Sequence, residues 1–158
     1  MYERNLPGRV VDTREMLERC EALNRELHDS VAPNRRERPV RTASIGRQQE
    51  IVRILCETFM IHGSQYWDSS RYRNYVEYQI QCMIWASRRA ILIREKGFAV
   101  DGNVFAGSRK HYGVIEAIRW DYRLAIRYLA PEKRGKFPPP WDPREVEPAP
   151  ANLIPQPT

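Results

Sequence analysis

Four stretches of the chain place apolar residues three and four apart, the spacing that lines one face of an α-helix. In the first, Leu17, Cys20, Leu23 and Leu27 form a narrow stripe in otherwise charged surroundings. Asp12-Thr13-Arg14-Glu15 ahead of it reads as a capping box, with Asp12 as N-cap and Glu15 reaching back, and predicts a helix to about His28. The second helix is expected from Thr42 or Ser44 to His62, stopped by Gly63, with Ile51, Val52, Leu55, Phe59 and His62 on one arc. The third, from about residue 70 to Lys96 and stopped by Gly97, is apolar on two sides. Tyr72, Val76, Ile80, Met83, Ala86, Ala90 and Ile93 share a wide face, while Tyr78, Trp85 and Leu92 make a second seam opposite.

The fourth stretch covers residues 108–129. Val114, Ile115, Ile118, Tyr122, Ala125 and Leu129 fall on one face at helical spacing. Arg119, Arg123 and Arg127 form an i, i+4, i+8 basic stripe beside it, and Ala117, Trp120, Leu124 and Tyr128 form a second apolar strip. Before it, Asp101-Gly102 between short apolar runs predicts a hairpin or a tight loop. The resulting expectation is an all-α fold, an irregular antiparallel bundle of three to four helices. Three regions follow: an acidic helix with a basic linker arm (1–41), a helical core (42–130) and a proline-rich extended tail (131–158).

Composition bears mainly on the arms. Nine of the twelve prolines lie beyond residue 130, and Phe137-Pro138-Pro139-Pro140-Trp141 reads as a polyproline II rod with aromatic anchors, Leu153 and Ile154 supplying a further anchor. Of 26 basic residues 22 are arginine, so guanidinium chemistry dominates the charge. Residues 1–31 carry a net charge of −2, from five basic and seven acidic groups. Residues 32–137 carry +10, from twenty basic and ten acidic groups. Within that basic body, Arg35, Arg36, Arg38 and Arg41 form the densest cluster. With the Arg119–Arg123–Arg127 stripe they are candidate contacts for a polyanion or for an acidic protein surface.

Motifs that carry chemistry are missing. His28, His62 and His111 have no Glu three residues before them, and Cys20, Cys56 and Cys82 are odd in number and widely spaced, so no metal or disulfide framework is expected. The eight glycines are scattered, without a phosphate loop. The dipeptide Trp-Asp occurs at residues 67, 120 and 141, too irregularly for a propeller repeat. Without a catalytic motif, a cofactor or a run of about 20 apolar residues, the chain reads as a non-catalytic accessory or structural subunit of a large multiprotein assembly. An organellar respiratory complex is one example, in an intracellular setting, mitochondria included. Trp120, Leu124, Tyr128, Phe137, Trp141, Leu153 and Ile154 are its candidate partner-binding residues. Polar replacement of Trp120 and Leu124 is expected to spare the isolated fold and abolish assembly. A ribosomal-type nucleic-acid-binding protein and a virion structural protein are the alternatives.

Overall fold

The computed structural model describes residues 6–31, 44–68, 71–129 and 139–150. Three helices, α1 (Arg14–Val31), α2 (Ile45–Phe59) and α3 (Arg73–Lys96), precede four strands, β1 (Asn103–Ala106), β2 (His111–Ile118), β3 (Leu124–Tyr128) and β4 (Val146–Pro148). The described chain divides into a helical unit up to Arg88 and a sheet unit from Arg89 onward.

In the helical unit the helix caps differ in detail from the sequence pattern. Thr13, one residue beyond Asp12, caps α1 by accepting from the Met16 N–H through Oγ1 at 3.2 Å. Ser44 caps α2 through the Arg47 N–H, and the stop falls at Met60, in the left-handed conformation at φ 55°, three residues before Gly63. The expected face of α2 is buried: Ile51, Val52, Leu55 and Phe59. α1 packs on α2, with Arg47 holding Glu26 in a two-pronged pair at 2.9 and 3.0 Å. It reaches α3 through Asn24 Nδ2, which donates to Gln81 Oε1 at 3.0 Å, and through the Arg88–Glu21 pair.

The N-terminal segment closes over the end of α2, where Arg9 N–H donates to the Phe59 carbonyl. A Cβ on Gly8 would lie 2.1 Å from that carbonyl oxygen. Gly8→Ala is therefore expected to push the segment off α2 and to cost about 1–3 kcal/mol, read as a lowered denaturant midpoint at unchanged m-value.

The sheet unit overturns the all-α expectation. Residues 108–129 are a β-hairpin, not a fourth helix. The sheet order is β3-β2-β1-β4, antiparallel at every neighbour, with Gly113 opposite Tyr128, Ile115 opposite Ile126 and Ile118 opposite Leu124. A spacing of four residues fits both a helix face and a strand face, since four is two strand periods. The pattern Val114, Ile118, Tyr122 could therefore not separate the two. Composition leaned the other way: the segment is rich in β-branched and aromatic residues, which favour a strand. Gly113 sits where a Cβ would lie 2.5 Å from Ile126 Cγ2.

The turn between β2 and β3 carries no glycine. Asp121 builds it, with Oδ1 accepting from the Arg123 N–H at 3.1 Å, while Tyr122 takes a positive φ of 63°. Asp101-Gly102 forms a tight loop before β1, and the β1–β2 turn is made by residues 107–110, with Gly107 and Lys110 both at positive φ.

The core of the sheet unit joins Ile93 and Phe98 to Val104, Ala106, Ile115, Leu124, Ile126 and Val146. Part of the proline-rich tail belongs to it. Trp141 exchanges two backbone hydrogen bonds with Leu124 (2.8 and 2.9 Å), Pro143 and Val146 are buried, and Lys96 Nζ donates to the carbonyls of Pro143 and Val146.

Candidate functional site

The residues proposed from sequence separate into three groups. Arg35, Arg36, Arg38, Arg41, Phe137, Leu153 and Ile154 lie outside the described residues. Leu124 is fully buried in its own unit, and Tyr128 and Trp141 are half-buried against the same core. The strip Trp120–Leu124–Tyr128 is thus no helix face: Trp120 sits in the hairpin turn, and Leu124 has no surface to offer a partner.

The third group is the Arg119–Arg123–Arg127 stripe, which meets carboxylates of its own chain. Arg123 Nη1 donates to Asp121 Oδ2 at 2.7 Å, Arg119 lies 3.8 Å from the same carboxylate, and Arg127 pairs with Glu116 at 3.2 Å. Arg47, Arg53, Arg88 and Arg144 are likewise paired with Glu26, Glu57, Glu21 and Asp142. Arginines held this way display less free charge than the composition implies.

What the helical unit does expose is aromatic. Val76, Ile80, Met83 and Ser87, spaced four, three and four, are buried on the inner side of α3. On its outer side Tyr75 is 61 % exposed, Tyr78 63 % and Trp85 42 %, with Tyr72 just before the helix also exposed. With half-buried Cys82, Tyr75, Tyr78 and Trp85 make a stripe at spacings of three, four and three, about 15 Å long at 1.5 Å per residue, and Tyr72 extends it just before the helix. Tyr78 and Trp85 are two members of the seam expected from sequence. Tyr75 lies outside the seven-residue interval that marks Tyr78, Trp85 and Leu92; the Tyr72-x-x-Tyr75-x-x-Tyr78 spacing is the signal for it.

The charges beside the stripe are mostly committed. Arg71 lies over the Tyr72 ring at 5.4 Å, and Arg73 stacks on buried Trp67 at 4.4 Å. Glu77 accepts from Trp67 Nε1 at 3.3 Å, and Arg88 holds Glu21.

A shallow groove of about 410 Å³ is lined by Gln49, Glu50, Arg53, Gln65 and Trp67, among others. Its charged groups are tied, Glu50 to Arg47 and Arg53 to Glu57. Among the described residues no three His, Cys, Asp or Glu side chains are placed to hold a metal ion, and no helix is long and apolar enough to cross a membrane.

The three thiols differ. Burial pushes Cys56 up to about 11 and raises Cys20, the latter with Arg19 pulling the opposite way. Cys82 is half-buried on the stripe. Iodoacetamide at about pH 8 should therefore modify Cys82 in the folded chain, and Cys20 and Cys56 only on unfolding, as read by peptide mass spectrometry.

Comparison with protein-family models, with characterised proteins and with solved structures finds no match.

Proposed function

We propose that this chain is a non-catalytic accessory subunit that docks on another protein through the aromatic stripe of α3. The observation that supports this reading is the exposure of Tyr75, Tyr78 and Trp85 on the outer side of α3, whose inner side is packed through Val76, Ile80 and Met83. Tyr, Trp and Arg dominate the energetics of protein interfaces, since they bury large area with few rotatable bonds and keep a polar tip for a hydrogen bond. Isolated exposed aromatics need no explanation, but a contiguous stripe marks a binding surface.

The occupant this face fits is a partner with an apolar ridge and acidic flanks. Arg71 stands at one end of the stripe, and the carboxylates near it are already engaged. A second copy fits poorly: antiparallel stacking of two stripes would set Arg71 of each opposite the Arg88 end of the other, in chains that each carry +6. Nucleic acid is the weaker reading because Arg119, Arg123 and Arg127 are paired within the chain.

The test is alkylation of Cys82 in the native assembly and in the chain released from it. Protection in the assembly and reactivity after release support the reading. Equal reactivity in both overturns it. So does an association that nuclease abolishes and that weakens steeply with log salt, as phosphate contacts require.

A further inference from the structure

The segment ahead of α1 is held through its backbone. Residues 9–12 run without turn or bend, and two of their N–H groups reach acceptors far away in the sequence. Arg9 N–H donates to the Phe59 carbonyl, and Val11 N–H donates to Ser87 Oγ at 3.1 Å. In an extended backbone, groups two residues apart leave on the same side, about 6.5 Å from one another. The two acceptors are therefore spaced to read one edge of an extended chain.

Each acceptor needs that chain. Phe59 is the last residue of α2, whose terminal carbonyls have no donor within the helix. Ser87 is 0 % exposed on the packed side of α3, where a polar group without a partner is costly. Side chains complete the fit. Val11 is buried, whereas Arg9 is exposed. A Cβ at Gly8 would meet both the Phe59 carbonyl and Ile61 Cγ1, so the residue before the first donor has to be glycine. Main-chain partners for affinity, a close approach that admits glycine and a pocket for one apolar side chain are the parts of a peptide-recognition groove.

We propose that the end of α2 and the inner side of α3 form a groove for an extended Gly-x-x-Val segment, filled by residues 6–11 of the chain itself as a releasable strap. Release breaks two hydrogen bonds and uncovers Val11. It leaves the Arg47–Glu26 and Arg88–Glu21 pairs that tie the three helices together. The strap can thus open below the threshold of global unfolding, and the same sequence supplied from outside then takes its place. The groove uses Phe59 and Ser87 and none of the exposed aromatics of α3, so its test is independent of docking there.

The test uses the full chain and a fluorescent peptide of residues 6–12. Gly8→Ala in the chain pushes the tethered segment off the groove. By anisotropy the peptide should bind this variant at least about tenfold more tightly than the wild type, where it competes with a tethered copy at an effective concentration of about millimolar or more. At about ten times its dissociation constant it should raise the variant's unfolding midpoint by about 3–6 °C. A peptide with alanine in place of the glycine should do neither, and adding Ser87→Ala to the variant should weaken peptide binding about fivefold. In the wild type, the Val11 amide should exchange hydrogen faster than the amides of Ile80 and Met83 inside α3. Equal affinity for wild type and Gly8→Ala, no binding to Gly8→Ala, or an alanine peptide that binds as well overturns the proposal. So does exchange of Val11 only at the rate of Ile80 and Met83, which holds whether or not the variant folds.

Discussion

Leu124→Asp should unfold the sheet unit. Leu124 is 0 % exposed, and its side chain packs in the cluster formed by Ile115, Ile126, Val146 and Phe98. Its backbone holds Trp141, and through it the tail, beside β3. An aspartate there would have to be buried as an uncompensated carboxylate or dragged to the surface with the strand, and either costs at least about 4–5 kcal/mol. That is most of the 5–15 kcal/mol that stabilises a typical domain. Leu124→Ala, which only leaves a cavity, should cost about 2–5 kcal/mol. Near-UV circular dichroism and amide spectra of residues 89–129 would record the loss. A Leu124→Asp chain that folds with an unchanged midpoint would contradict the hairpin and restore the helical strip, which predicts tolerance at this position.

The opposite pattern is expected on α3. Tyr78→Asp should leave the stability of the isolated chain within about 0.5–1 kcal/mol of wild type, since Tyr78 is 63 % exposed, and Trp85→Asp, at a residue 42 % exposed, should cost about 1–3 kcal/mol without unfolding it. Docking should collapse. Truncating an aromatic anchor typically costs about 2–4 kcal/mol of binding, and an aspartate facing an acidic partner adds repulsion. Each single variant should therefore weaken association at least about 30-fold, and the double variant beyond detection. Titration against the purified partner, with unfolding measured in parallel, separates the two effects. Unaltered association in the double variant would remove α3 from the interface.

These two elements, β3 and α3, also mark where the sequence was readable. α1, α2 and α3 followed from apolar spacing. Gly97, at positive φ just after Lys96, ended α3 as expected. The two-sided character of α3 was visible in Val76, Ile80 and Met83 against Tyr78 and Trp85. Residues 108–129 were misread because spacings of four satisfy both periods, and because Asp121 closes the hairpin turn without a glycine to announce it. The Arg119–Arg123–Arg127 stripe was a product of that misreading: in the hairpin these arginines belong to a turn and a strand, where Asp121 and Glu116 meet them.

The local pattern alone determined the three helices, the packed side of α3 and the aromatic seam behind it, since these depend on residues within a few turns of one another. Tertiary structure decided the rest. Whether residues 108–129 became helix or sheet depended on β1 lying alongside β2 to take up its hydrogen bonds and on Ile93 and Phe98 packing with Ile115, Leu124 and Ile126. Whether Trp141 served a partner or its own chain depended on Leu124 being within reach. Such long-range pairings draw their energy from burial and hydrogen bonding between distant segments, and the spacing within any one segment carries no record of them.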